Sequence, residues 1–256
     1  MLEILTNATY ISLFVQFITG ALGFHGLTIQ LPKEDEILRE VLIMEMIVQV
    51  IEFIFYLWLA QGLFSYNKKS DFPLFDVTKR RYIDWFITTP TMLVSTITFL
   101  YYLRMKEEIQ KKENYENNVN NVENVKNEKR LTFQEFVEKH KKFIFTIVLT
   151  NAMMLFFGYL VENGKFDKWS GIFIGFIFLF ITFYLIYKEF AKGLDKGEKL
   201  FMFMFFIWSL YGVAAMFSFY YKNISYNVLD IFAKNFFGLF LYWMIIKIKN
   251  NESFKI

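Results

Sequence analysis

The stretch Arg81-Tyr82-Ile83-Asp84-Trp85-Phe86-Ile87-Thr88-Thr89-Pro90 opens an apolar run that reaches Leu103. It places an arginine and an aspartate in or beside a helix long enough to cross a membrane. A basic residue, Lys234, lies inside the last apolar segment, one helical turn after Asp230. Charges are costly inside a bilayer, so ionisable residues in such segments are by default functional and have partners. The spacing therefore predicts one buried lysine facing two buried aspartates.

The composition indicates a protein that crosses a membrane several times. Hydrophobic residues make up 55% of the 256 residues and 34 of them are Phe, which is more apolar surface than one soluble core uses. A bilayer requires roughly 20 apolar residues per helix, and such stretches lie at 9–29, 41–63, 82–103, 143–161, 170–188, 200–221 and 225–247. We therefore predict an all-α membrane protein, a seven-transmembrane-helix bundle that forms a single domain over residues 1–256.

The charges in the loops predict how the bundle is oriented. With the N-terminus outside, the cytoplasmic loops and tail hold most of the loop Lys and Arg residues, and the positive-inside rule favours this orientation, with the C-terminus cytoplasmic. The polar segment 105–142, between helices 3 and 4, is then a cytoplasmic loop. Its part 113–130 is rich in Asn, Glu and Lys, which predicts disorder or a frayed helix. The following part carries apolar residues at helical spacing and is either a plain loop or a helix on the membrane surface: Leu131, Phe133, Phe136 and Val137.

Several kinds of chemistry are excluded or disfavoured. The chain has no cysteine, which excludes disulfides, thiolate catalysis and Cys-based metal sites. Its two histidines, His25 and His140, are too few and too far apart in the sequence to predict a metal site. No nucleotide or phosphate motif is present. We therefore predict neither a conventional enzyme, nor a metal site, nor a nucleic-acid partner.

The candidate site combines one lysine with charged groups on two helices. Asp230 and Lys234 share one face of helix 7, and Arg81 and Asp84 share one face of helix 3. A lysine among apolar neighbours is favoured in its neutral form, which makes it a good nucleophile for an aldehyde. The protonated Schiff base would need fixed anions, which the two aspartates would supply, with Arg81 keeping both ionised. An ordinary buried ion-pair network between the helices is the alternative.

The pattern Arg81-Tyr82-x-Asp84-Trp85-x-x-Thr88-Thr89-Pro90, with Asp230-x-x-x-Lys234, resembles the microbial (type 1) rhodopsins over all seven helices. The resemblance implies all-trans retinal joined to Lys234 as a protonated Schiff base, with Asp84 as the primary counterion and Asp230 as the second. The retinal-binding residues that it implies are Lys234, Asp84, Asp230, Arg81, Thr88, Thr89, Trp85, Asn151, Met154, Gly158, Trp208 and Tyr211.

Within that set the resemblance assigns separate roles. Three aromatic side chains would enclose the ring: Trp85, Trp208 and Tyr211. The helix-4 residues Asn151, Met154 and Gly158 would line the polyene and ring, and Thr89 would pair with Asn151 between helices 3 and 4. The chain departs from the family at two positions, since Gly212 replaces the usual proline and Ala215 replaces a second tryptophan. Pocket shape and colour are the properties that these departures affect.

The proton-transfer groups of the pumps are incomplete. In the proton pumps of this family a carboxylate in the cytoplasmic half of helix 3 reprotonates the Schiff base, and the matching residue here is Ser95. The outer-side glutamates that commonly release the proton are absent from 217–227. Pumping needs an ordered relay of groups with staggered proton affinities. These two gaps weaken the pump interpretation without excluding it, because water or another acid can substitute.

Helix 2 carries a polar stripe that favours a different function. Glu45, Gln49, Glu52 and Tyr56 follow one another at spacings of four, three and four, so they share one face that must meet the bundle interior or water. Helix 1 has a matching stripe of small and polar residues at Ser12, Gln16, Thr19 and Gly23. Glu52 is expected level with Lys234, and Asn235 follows that lysine directly. A helix-2 glutamate beside this asparagine resembles the central gate of channelrhodopsins, with Glu45 at the inner-gate position.

We therefore predict a retinal-binding photoreceptor that acts as a light-gated cation channel, similar to the channel-forming rhodopsins of large DNA viruses. The ion pathway would run along Glu45, Gln49, Glu52, Tyr56, Ser95 and Asn235. A light-driven outward proton pump, supported by Asp84 and Thr88, and a photosensor that signals through a partner are the alternatives. A polar network that conducts no ions is the simpler explanation of the helix-2 stripe.

The partners follow from the same resemblance. They are the lipid bilayer of a plasma membrane or host-cell membrane and small inorganic cations or protons. A homo-oligomer, either a dimer or a larger ring, is also open.

Overall fold

The computed structural model describes residues 1–67, 72–119 and 132–250. Seven helices in this part of the chain are long and apolar enough to cross a membrane. We number them 1 to 7, and their bounds are Leu2–Thr28, Ile37–Asn67, Val77–Val119, Phe133–Glu162, Lys168–Ala191, Asp195–Ala214 and Phe219–Lys249. Helices 5 and 7 each include one π-helical segment, at Tyr187–Ala191 and Ile231–Asn235. The prediction of an all-α seven-helix membrane protein is confirmed.

The boundary between helices 6 and 7 differs from the prediction. Hydropathy extended helix 6 to residue 221, whereas the helix ends at Ala214 and helix 7 begins at Phe219. The N-cap Ser218 has extended backbone angles that start the new helix. No Gly or Pro marks this turn and apolar residues continue through it, so a hydropathy pattern has no signal there.

The segment 105–142, predicted to be a loop, is helical at both of its ends. Helix 3 continues to Val119 and helix 4 begins at Phe133. Phe136 is buried, with its ring 5.1 Å from that of Tyr101 and 6.1 Å from that of Phe190. The start of helix 4 therefore packs into the bundle and is not a separate helix on the membrane surface. Residues 120–131, which include most of the expected disorder, lie outside the described residues.

The helices form a closed ring in chain order. Each packs against its neighbours in sequence, and helix 7 packs back against helix 1. Helix 3 is the most enclosed, with 72% of its membrane window buried, compared with 22% for helix 4. The outer faces carry exposed aromatic residues, as expected of surfaces that meet lipid: Phe14, Phe17, Phe145, Phe173 and Phe206.

A π-helical turn sits at the centre of helix 7. Ile231–Asn235 interrupts the α-helix directly after Asp230 and contains Lys234. Asn235 Nδ2 donates to the Asp230 carbonyl at 3.4 Å. Such turns are rare and occur often at functional sites, because one extra residue re-aims the side chains that follow. Here the turn sets the direction of the lysine.

An arginine satisfies the C-terminal end of helix 1. Arg39 Nη1 donates to the Leu27 carbonyl at 2.7 Å, and Nη2 donates to the Ile29 carbonyl at 2.9 Å. These carbonyls lie where a helix runs out of its own N–H partners. Arg39 thereby ties the start of helix 2 to the end of helix 1.

We expect Arg39→Ala to lower the free energy of unfolding by about 2 kcal/mol, because two charge-assisted hydrogen bonds are lost. SDS-induced unfolding followed by circular dichroism measures the change. Lys33→Ala, at an exposed position in the same connection, is the matched control. Equal stability of the two variants would contradict the capping role.

Candidate functional site

The centre of the bundle holds one lysine among three carboxylates. Lys234 Nζ lies 3.0 Å from Glu52 Oε1, 3.2 Å from Asp84 Oδ2 and 3.5 Å from Asp230 Oδ1. All four side chains are buried. The sequence predicted the lysine with two aspartates; the structure adds Glu52 as the nearest of three acids. Helices 2, 3 and 7 each supply one carboxylate.

Asp230 is the most fully bonded of the three acids. Its Oδ2 accepts from Tyr56 Oη at 2.7 Å and from Arg81 Nη1 at 3.0 Å, and its Oδ1 accepts from Tyr211 Oη at 2.7 Å. Asp84 Oδ1 and both Glu52 oxygens, in contrast, have no hydrogen-bond partner among the described residues. Two of the three carboxyl groups therefore keep free oxygens beside the lysine.

Arg81 is completely buried next to this cluster. It forms an ion pair with Asp230 but not with Asp84. Its Nε donates to Asn223 Oδ1 at 3.2 Å, and its Nη2 donates to Asn227 Oδ1. The expectation that it holds both aspartates ionised is therefore supported directly only for Asp230. The sequence analysis missed the two asparagines, although they continue the spacing of Asp230 and Lys234 backwards along helix 7 and that periodicity was the available signal.

An apolar cleft leads away from Lys234 between helices 3, 4, 5 and 6. Trp85 lies edge-on to Tyr211 and Tyr226, with ring centroids 5.6 Å and 5.0 Å apart. Tyr226 was not predicted, because the spacing analysis of helix 7 began at Asp230. The predicted pocket residues that line the cleft are Trp85, Thr89, Met154, Gly158, Trp208, Tyr211 and Lys234.

Small residues keep this cleft open. A Cβ added at Gly158 would lie 2.4 Å from Tyr82 Oη, and one added at Gly212 would lie 2.5 Å from the Phe176 ring. Gly212 and Ala215, the two departures from the family pattern, both line the cleft. They therefore leave space at the end of the cleft that larger residues would fill.

Two further predicted residues differ in their contacts. Asn151 Nδ2 donates to Thr89 Oγ1 at 2.7 Å, so the structure brings together the pair expected between helices 3 and 4. Thr88 is buried on the same face as Asp84, but its hydroxyl donates to the Asp84 backbone carbonyl at 3.0 Å. The Thr88 hydroxyl therefore uses its proton for the backbone carbonyl of Asp84 and not for the Asp84 carboxylate.

The polar stripe of helix 2 faces the bundle interior, and each member meets a different partner. Ser95 Oγ on helix 3 forms a hydrogen bond with Glu45 Oε1, and Gln49 Nε2 donates to Gln16 Oε1 on helix 1. Glu52 contacts Lys234, and Tyr56 contacts Asp230, as described above.

The expected bond between Glu52 and Asn235 is not formed among the described residues. The Thr19 hydroxyl on helix 1 donates to Asn235 Oδ1 at 2.5 Å instead. Glu52 Oε1 lies 3.0 Å from Nζ of Lys234, which belongs to the π-helical turn. The level of Glu52 was predicted correctly, but its partner was not.

Comparison with known proteins identifies the family. The profile of the family described as bacteriorhodopsin-like protein matches residues 6–248. The chain belongs to this family. A search of curated proteins found no match.

Solved structures show the same fold. Viral rhodopsin OLPVRII has a TM-score of 0.72 and 24% identity, and the match covers 95% of this chain and 98% of that one. The light-driven proton pump Coccomyxa subellipsoidea rhodopsin has a TM-score of 0.64 and 15% identity, with 94% and 96% covered. Halorhodopsin, a light-driven chloride pump, has a TM-score of 0.61 and 15% identity, with 97% and 96% covered. At these identities the likeness shows the fold and not the ion.

The site fits retinal, the chromophore that this family binds. Retinal needs a long apolar cavity with one amine at its end, and the cleft provides aromatic walls that lead to the buried Lys234. The three carboxylates supply the negative charge that a positive group on Nζ requires. Trp85, Trp208, Tyr211, Met154 and Gly158 would hold the apolar part of the molecule.

We expect Lys234→Ala to abolish visible absorbance when retinal is added, because no other amine lines the cleft among the described residues. Absorption spectra of the purified protein measure this. Lys199→Ala, an exposed substitution on helix 6, should form normal pigment. A coloured, retinal-bound Lys234→Ala protein would contradict the assignment of the attachment site.

We also expect Gly158→Leu to reduce the yield of pigment several-fold. The added side chain would collide with Tyr82, which packs against Trp85 and Tyr159 and has little room to move. Titration with retinal at fixed protein concentration gives the yield. Gly238→Ala is the control, since nothing lies within 4 Å of its added Cβ. An unchanged yield and spectrum for Gly158→Leu would show that retinal does not use this part of the cleft.

Proposed function

We propose that this rhodopsin is a light-gated cation channel whose pore lies between helices 1, 2, 3 and 7. The observation that carries the proposal is a column of buried, hydrogen-bonded polar side chains that extends to both sides of Lys234. Buried polar groups are costly unless they are fully paired, so their concentration in one column favours a hydrated path over a plain structural core.

Toward the side on which helix 1 begins, the column surrounds Arg81. Asn227 Nδ2 donates to Thr9 Oγ1 at 2.9 Å, and Ser12 Oγ donates to the Asn227 carbonyl at 3.1 Å. Asn223 Nδ2 donates to Thr78 Oγ1 at 2.9 Å. These bonds join helices 1, 3 and 7 through neutral groups that water can replace when the helices separate.

Toward the other side, the column has two constrictions. One is formed by Gln16 with Gln49, together with Thr19 and Asn235, and the other by Glu45 with Ser95. Each bond crosses between two helices, so separation of the helices opens the path and exposes polar groups to the entering water.

The charge of the column favours cations. Three carboxyl groups of the column, those of Glu52, Asp84 and Asp230, lie against two basic residues, Lys234 and Arg81. Carboxylates along a hydrated path attract cations and repel anions. We therefore assign cations, and not chloride, as the transported ions.

Gating follows from the position of Lys234. Bound retinal supplies light absorption and a change of shape at Nζ, and we take it to be the all-trans isomer in the dark. Lys234 holds Glu52 and Asp84 at 3.0 Å and 3.2 Å, so displacement of Nζ releases both acids. Asn235 lies next to it in the same π-helical turn, and its bond to Thr19 is then strained. The proposed orientation has the N-terminus outside and the C-terminus in the cytoplasm.

Outward proton transport is the second candidate. It is favoured by the 3.2 Å contact between Lys234 Nζ and Asp84, whose Oδ1 is unpaired and open to a proton. The same contact between Lys234 and Asp84 is compatible with a channel and with a pump. Only measured current separates the two.

We expect photocurrents in retinal-supplied cells to reverse near a cation equilibrium potential, and Glu52→Gln to reduce cation conductance several-fold because one carboxylate is lost from the path. Asn235→Ala should raise the dark current, since the bond to Thr19 is removed. Whole-cell recording with varied cation gradients measures both.

Asp195→Asn, at an exposed site, is the control. A current that stays outward at all voltages would support the pump instead. Unchanged current and selectivity in both variants would refute the gate.

A further inference from the structure

Ser95 stands where the pumps of this family carry an acid, and its hydroxyl lies against an acid of another helix. Ser95 Oγ forms hydrogen bonds with two oxygens, Glu45 Oε1 on helix 2 and the Met92 carbonyl at 2.9 Å on its own helix. Ser95 and Glu45 are both buried. The chain thus places a carboxyl group next to the position that lacks one in helix 3.

The surroundings of Glu45 indicate the state of this carboxyl group. The Ser95 hydroxyl has one proton and two oxygens within reach, the Met92 carbonyl oxygen and Glu45 Oε1. When Glu45 carries a proton, it donates to Ser95 and Ser95 donates to Met92, so all three groups are paired. Within the described chain no basic side chain forms an ion pair with Glu45. A buried carboxyl group without a cation takes up a proton rather than remain charged.

The position of Glu45 suits it to return a proton to the site. It lies seven residues before Glu52 on one face of helix 2, which is about 10 Å along the axis. Glu52 contacts Lys234 Nζ, and Gln49 lies between the two acids. Asp84 Oδ2 on helix 3 lies 3.2 Å from Nζ. The nitrogen therefore has an acceptor in direct contact, and Glu45 lies about two helical turns away from Glu52 along helix 2.

We propose that Glu45, held by Ser95, is the proton donor that restores the proton on Lys234 Nζ after illumination. Nζ first gives its proton to Asp84. The Glu45 O–H bond then breaks, water beside Gln49 carries the proton, and the N–H bond at Nζ forms again. The Glu45 carboxylate takes a new proton from water on the side where helix 2 begins. The inference rests on the lysine-bound retinal of the proposed function, but it does not require conduction.

The first test examines the protonated acid in the retinal-free protein in the dark. We expect the infrared spectrum to contain a carboxylic C=O band that shifts in heavy water, disappears in Glu45→Gln and moves in Ser95→Ala. Glu40→Gln, at an exposed position on the same helix, should leave the band unchanged. A spectrum of Glu45→Gln identical to that of the parent protein would overturn the proposal.

The second test follows recovery of the pigment after a flash. Glu45→Gln should slow recovery by about 100-fold, the lower end of what a positioned acid contributes, and added azide should restore it by supplying a small diffusible acid. Ser95→Ala keeps the Glu45 carboxyl group and replaces Glu45→Gln as the test variant if Glu45→Gln folds poorly. Its pigment should recover more slowly than that of the parent protein but faster than that of Glu45→Gln. Recovery at the parent rate in both variants would overturn the donor role.

Photocurrents recorded on the same variants separate the two proposals. Slow recovery of Glu45→Gln in a protein that passes no current would support the donor and refute the channel. Normal recovery in a protein with a passive current would refute the donor and leave the channel standing.

Discussion

The structure depends on a lysine and an arginine buried together with three carboxylates. Charges removed from water lose several kcal/mol of hydration each, and only close, well-oriented partners repay that loss. Glu52, Asp84 and Asp230 come from three helices and all lie within 3.5 Å of Lys234 Nζ. The positions of helices 2, 3 and 7 relative to one another are thereby fixed. Any change in the charge or position of Nζ therefore alters one contact to each of these helices.

The three acids are not equivalent, and their differences follow from their neighbours. Asp230 accepts hydrogen bonds from two tyrosines and from Arg81, so its carboxylate is held in place by three donors besides Lys234. Asp84 and Glu52 keep unpaired oxygens and depend on Lys234 for compensation. A movement of the lysine leaves Asp230 satisfied and leaves the other two acids uncompensated. In the proposed mechanism, displacement of Nζ would therefore act mainly on helices 2 and 3.

The sequence predicted what a single helix can encode. Hydropathy located seven helices, and spacing placed Glu45, Gln49, Glu52 and Tyr56 on one interior face, as the structure shows. It also placed Lys234 against Asp84 across two helices, but it missed the contacts of Glu52 with Lys234 and of Ser95 with Glu45. Spacing gives depth along an axis but not rotation about it, and the π-helical turn changes that rotation without a sequence signal. The helix 6 to 7 turn was missed because its apolar residues lack Gly and Pro.

Lys234 is also the boundary between two interiors of opposite character. On one side an apolar cleft between helices 3, 4, 5 and 6 ends at the lysine, and on the other a polar column runs between helices 1, 2, 3 and 7. The walls of the cleft are largely apolar and aromatic, whereas the column is lined by hydrogen-bonding groups that suit water. A change of shape in the cleft reaches the column most directly through Lys234 and its π-helical turn. In the proposed channel, this separation would let one side chain convert an event in an apolar pocket into hydration of a polar path.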